Sequence, residues 1–145
     1  MEEATASTAL LLVHAASCWF MAGVIWIVQV VHYPLFAGVG EAGYARYQAE
    51  HMRRITWVVL PAMAIELATA ALLVWGASAS VGAWVNLAGV GVIWGSTALL
   101  QVPAHGKLLT RFERGVHGRL VRTNWIRTVV WTARALGLLY AVALA

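Results

Sequence analysis

Residues 9–31 read ALLLVHAASCWFMAGVIWIVQVV, a run without one charged side chain. Crossing the hydrocarbon core of a bilayer takes roughly 20 apolar residues in helical form, and this run is long enough. Lipid gives unpaired backbone groups nothing to bond to, so a span of this length satisfies its N–H and C=O groups internally, as a helix. Three more stretches share its character, at about 55–77, 83–103 and 124–144. The expected fold is therefore all-α: a polytopic membrane four-helix bundle, one domain over 1–145, with connections at 32–54, 78–82 and 104–123. The first stretch reads as a retained span, because Met1-Glu2-Glu3 is acidic where a cleaved signal carries basic residues.

Composition agrees. Of 145 residues, 61% are hydrophobic and 11% charged, and mean hydropathy is +0.75. A soluble domain carries about 25% charged residues, and one of this size keeps too much surface exposed to hide such an apolar excess from water. Ten Lys and Arg face six Glu, with no Asp. Arg46, Arg53 and Arg54 fall in the first connection, and Lys107, Arg111, Arg114, Arg119 and Arg122 in the third. By the positive-inside rule these connections are cytoplasmic, in what reads as a bacterial cytoplasmic membrane, and both termini lie outside. The basic excess thus reports orientation, and nucleic acid is not an expected partner. Trp57 and Trp125 fall near the inner interface and Trp75 and Trp84 near the outer one, as in an aromatic belt. The single Cys18 excludes a disulfide framework or a CxxC site.

An internal repeat is also visible. Gly23-Val24-Ile25-Trp26 recurs 68 residues later as Gly91-Val92-Ile93-Trp94. The same shift matches Arg46 with Arg114, Arg54 with Arg122, Trp57 with Trp125, and Tyr44 with Phe112. This reads as two parallel helical hairpins of one orientation. It also matches Glu66 with Arg134, each about 18 Å along its helix from an inner arginine at 1.5 Å per residue. A charge inside the membrane is costly unless it is paired or faces a wet cavity. A Glu66–Arg134 pair is expected, either as glue between helices or as the polar floor of a ligand site.

Other polar residues gather towards the inner end. His32, His51 and His105 come from three elements at one depth, with Gln29, Tyr33 and Gln101 in the same layer. Three such histidines could ligate a metal, or two could hold haem iron, although no HExxH-type signature occurs. His14 stands apart near the outer end, as a satisfied or interfacial histidine. Asn124, Arg127, Trp131 and Arg134 recur at spacings of 3, 4 and 3, a polar stripe that must face the bundle interior. Such a stripe suits an anionic or phenolate-like ligand, since arginine donates in a fork and stacks on aromatic faces. Trp26, Trp94 and Trp131 lie mid-span, where they could line a cavity. Pro34 and Pro103 are expected to end their helices, and Pro61 to kink the second.

The segments His32-Tyr33-Pro34-Leu35-Phe36, Pro103-Ala104-His105-Gly106-Lys107-Leu108 and Asn124-Trp125-Ile126-Arg127-Thr128 resemble the anthrone oxygenase-like membrane domain family. Its members are small four-helix integral membrane proteins. His105 stands where the family often has Asn. The resemblance implies oxidation of a polyphenolic anthrone to an anthraquinone by O₂, with no evident cofactor. The implied catalytic set is a base among His32, His51 and His105, with Arg127 and Arg134 holding the anion. Gln29, Tyr33, Glu66, Gln101, Asn124 and Trp131 would complete a ligand site. Two other readings stay open: a non-catalytic subunit of a larger membrane complex or homo-oligomer, and a haem or metal redox subunit using His32, His51 and His105.

Overall fold

In a computed structural model of the chain, the described residues are 2–76 and 80–144, with side chains from Ser7 onward. Met1, the side chains of Glu2 and Glu3, and positions 77–79, where the second span ends and the next connection begins, lie outside them. The described residues form four long helices and no strand: α1 (Ser7–Gly38), α2 (Glu41–Trp75), α3 (Val81–Leu108) and α4 (Arg114–Ala143). Each is long and apolar enough to cross a membrane, and the chain is an integral membrane protein. α1 packs on α2 and α4, and α3 packs on the same two, which closes a square bundle.

The connections are shorter than expected because helix continues into them. Only Val39 and Gly40 separate α1 from α2, and Gly40 takes an extended conformation as the cap of α2. The face made by Tyr44, Gln48 and His51 is buried, so packing stabilises this helix beyond the bilayer. At 35 residues α2 is about 52 Å long, well over the ~30 Å hydrocarbon core. Its first turns therefore project from the membrane and carry Arg46, with Arg53 and Arg54 at the membrane boundary. Ser80 caps α3, its hydroxyl accepting from the Ala83 N–H at 3.2 Å.

Pro34 and Pro103 do not stop their helices. Each follows one turn of π-helix, Val28–His32 in α1 and Thr97–Gln101 in α3. The Tyr33 N–H bonds to the Val28 carbonyl, and the Val102 N–H to the Thr97 carbonyl. Proline lacks an N–H and crowds the carbonyl four residues back; a widened turn just before it lets the helix continue. Each turn ends two residues before its proline, and such bulges concentrate at functional sites. Pro61 lies inside α2, which runs unbroken from Glu41 to Trp75.

Two matched pairs of the repeat touch each other. The Tyr44 and Phe112 rings meet edge-on with centroids 5.0 Å apart, and Glu66 bonds to Arg134. Trp57, Trp75, Trp84 and Trp125 all face outward, in keeping with an aromatic belt.

Candidate functional site

Two buried polar networks occupy different levels of the bundle. The one farther from the arginine-rich end is built from all four helices. Arg134 Nη1 donates to Glu66 Oε1 at 2.9 Å, and Trp131 Nε1 donates to Glu66 Oε2 at 2.9 Å. Arg134 Nε donates to Asn86 Oδ1 at 3.0 Å. His14 completes the knot. The Thr69 hydroxyl donates to the Ile65 carbonyl, which leaves its oxygen to accept from His14 Nδ1 at 2.7 Å. His14 Nε2 then accepts from Asn86 Nδ2 at 2.8 Å and from Arg134 Nη2 at 3.3 Å. Glu66–Arg134 spans one diagonal of the square and His14–Asn86 the other.

Gly89 makes this arrangement fit. A Cβ there would stand 2.6 Å from Arg134 Cδ, so only glycine leaves the arginine its path. The carboxylate, the imidazole and the guanidinium are all engaged within the protein. His14, Thr69 and Asn86 were not expected to join the Glu66–Arg134 pair; His14 and Asn86 lie on α1 and α3, and no spacing along one helix relates them to Arg134.

The second network surrounds Arg127, 8% exposed. Arg127 donates through Nε to Asn124 Oδ1 at 2.9 Å, Nη1 to Thr97 Oγ1 at 3.3 Å and Nη2 to the Tyr33 oxygen at 3.4 Å. Behind it, Asn124 Nδ2 donates to Gln29 Oε1 at 2.8 Å, and Gln29 Nε2 to the Val121 carbonyl at 3.2 Å. Every partner of Arg127 is neutral. Among the described residues the ion pairs are Glu50 with Arg53 and Arg54, Glu113 with Arg111, and Glu66 with Arg134. Arg127 thus carries a buried charge with no carboxylate against it.

Tyr33 ties Arg127 to the histidines. Gln48 Nε2 donates to His105 Nδ1 at 2.7 Å, which places the ring proton on Nε2, the donor to the Tyr33 oxygen at 2.9 Å. Tyr33 accepts from both His105 and Arg127, so its own proton is free to donate elsewhere. His32 Nε2 and His51 Nδ1 share a 2.8 Å hydrogen bond, and the His51 and His105 rings lie 5.4 Å apart. Phe36 packs at the centre of this cluster, edge-on to His51 at 5.0 Å. His117, a further member, stacks on Phe36 and donates to the Tyr33 carbonyl at 2.8 Å.

A cavity of about 110 Å³ opens between the helices beside Arg127. Tyr33, Thr97, Gln101, His105, Arg127 and Trp131 supply its polar wall, and Met21, Ile25 and Met63 part of its apolar one. Of the residues singled out from the sequence, the cavity brings together Tyr33, Gln101, His105, Arg127 and Trp131. His32 and His51 stand behind its wall, Gln29 and Asn124 support Arg127, and Glu66 and Arg134 belong to the other network. Trp26 and Trp94 do not line it: Trp26 Nε1 donates to Thr132 at 3.0 Å on the outer surface, and Trp94 packs against the core.

Both nitrogens of His105 are taken by Tyr33 and Gln48, and His32 and His51 bond to each other, so the three rings do not converge on a common point. Among the described residues no group of three His, Cys, Asp or Glu side chains is placed to hold a metal ion. Comparison with protein-family models, with curated proteins and with solved structures finds no match.

Proposed function

We propose that the chain binds the anion of a phenolic or quinone-like small molecule inside the membrane and supports its oxidation by dioxygen without a resident cofactor. The observation that carries this reading is Arg127, a buried guanidinium at a cavity wall with only neutral partners. An unpaired buried charge is strongly unfavourable, and a ligand of opposite charge in the adjoining cavity offsets that penalty. Arginine fits the task because its planar fork both donates to an anionic oxygen and stacks on a ring. Tyr33 adds a second donor beside it, and Trp131 supplies a fully buried aromatic wall.

His105, the one histidine at the cavity wall, has both ring nitrogens engaged and holds Tyr33 with its hydroxyl proton free for the ligand oxygen. The resemblance to the anthrone oxygenase-like family supplies the oxidation. A phenol's keto form carries a ring CH₂ opposite the carbonyl, which loses a proton to water, and Arg127 holds the charge of the resulting anion. Dioxygen takes the electrons; one oxygen atom stays as the new carbonyl and the other leaves as water with the two hydrogens. The arginine-rich end is assigned to the cytoplasmic side of a bacterial membrane.

Oxygen uptake by purified protein with a monocyclic phenol, sized to the cavity, tests the reading. One O₂ consumed per quinone formed is expected, with the rate lost in Arg127→Gln and His105→Phe. If the purified protein neither binds nor turns over phenolic compounds, the oxidising role is gone.

A further inference from the structure

The cavity has a mouth, and its position bears on the shape of the ligand. Met52, Ile55 and Thr56 of α2 and Val102 of α3 form the rim. Thr56 and Val102 are exposed, and Met52 and Ile55 half-buried. Beside them Trp57 is 77% and Leu99 76% exposed. The side chains that line the mouth are uncharged, and it opens sideways between α2 and α3 onto a largely apolar outer surface, with Arg53 and Arg54 beside it at the membrane boundary. From Met52 to Val59, another lining residue, the opening runs about 10 Å along α2 at 1.5 Å per residue, which is wide enough for an alkyl chain.

The interior is small. Its volume of about 110 Å³ is close to the ~150 Å³ that accommodates a benzene and far below the ~300–1,000 Å³ that encloses a drug-sized molecule. It holds one ring. Anything attached to that ring has to leave through the rim.

Resting on the anion-site reading above, we infer that the ligand is an amphiphile: a single ionisable hydroxylated ring carrying a hydrocarbon tail. It enters sideways from the bilayer between α2 and α3. Its ring oxygen meets Arg127 and Tyr33, Met63 and Trp131 flank the ring, and the tail passes between Thr56 and Val102 and stays in lipid. Arg53 and Arg54, exposed beside the mouth and paired with Glu50, mark the level at which an amphiphile keeps its polar ring, and the uncharged side chains from Ile55 to Val59 and at Val102 suit a hydrocarbon tail that stays in lipid.

The test uses the full chain in phospholipid nanodiscs, titrated with 4-nitrophenol and with 2-dodecyl-4-nitrophenol. Both probes change absorbance on ionising. Val102→Trp and Thr56→Trp fill the opening at exposed positions and leave the core untouched. The parent protein is expected to bind and ionise both probes. Each tryptophan variant should weaken the tailed probe by at least about tenfold and hold 4-nitrophenol within roughly twofold. Equal loss for both probes, no loss for either, or binding of 4-nitrophenol alone by the parent overturns lateral entry while the ring site stands. Failure of the parent to ionise either probe overturns the site itself.

Discussion

Arg134 and Glu66 are joined across the diagonal of the bundle, Nη1 to Oε1 at 2.9 Å, with both side chains almost wholly buried. Their helices stand at opposite corners of the bundle, so this pair, with the Trp131–Glu66 hydrogen bond, links α2 to α4 through the centre. Removing one partner of a buried pair strands the other charge and costs about 3–5 kcal/mol, whereas replacing both by apolar groups is often close to neutral. Glu66→Leu alone should lower unfolding stability in detergent by about that amount. The double variant Glu66→Leu/Arg134→Met should recover much of the loss, as read by calorimetry or denaturant titration.

Gly89 is the space through which Arg134 passes, since a Cβ there would meet Arg134 Cδ at 2.6 Å. Overpacking of this kind costs typically about 1–3 kcal/mol, so Gly89→Val should lower the melting temperature, and less so in an Arg134→Met background. Gly91 and Gly95 have nothing within 4 Å of a built Cβ. Their alanine variants should hold or gain stability, because alanine is the better helix former by about 1 kcal/mol.

The Tyr44 hydroxyl is buried with no hydrogen-bond partner among the described residues, while its ring packs on Phe112 at 5.0 Å. An unsatisfied buried polar group is unfavourable by about 1–3 kcal/mol. Tyr44→Phe keeps the ring contact and removes the orphan, so thermal denaturation should show equal or higher stability. Phe112→Ala, which loses the ring, should destabilise.

How much of this could be read beforehand differs between fold and site. Four helices follow from apolar run length alone, and the Glu66–Arg134 pair follows from two deep opposite charges matched by the repeat. The course of the chain at Pro34 and Pro103 does not. Proline either ends a helix or is preceded by a widened turn, and tertiary packing makes the choice; here Tyr33, just before Pro34, and His105, just after Pro103, are both buried. The role of Arg127 was beyond sequence spacing. It lies on one stripe of α4 with Arg134, and only the positions of Tyr33 on α1 and Thr97 on α3 show that its partners are neutral. His117 gave no signal, since its contact is to a backbone carbonyl.

Orientation can be checked independently of any ligand. Cys18, the one native cysteine, is fully buried, so it gives little background in thiol labelling. A membrane-impermeant maleimide applied to intact cells should modify Ser80→Cys, at the start of α3, and spare Thr110→Cys, in the link beside Arg111. The reverse pattern would place the arginine-rich end outside.

The central claim is that Arg127, and not the deeper Arg134, waits for a ligand's negative charge. A hydrogen bond to a charged group is worth about 1.5–3 kcal/mol, or roughly 10- to 150-fold in affinity at 1.4 kcal/mol per tenfold. The direct measurement is the absorbance of 4-nitrophenol titrated with purified protein and with its Arg127→Gln variant at one fixed pH. The account predicts ionisation of the probe on binding the parent protein and a loss of that affinity within this range in Arg127→Gln, with thermal stability retained. Equal ionisation by both proteins, or by neither, would contradict it.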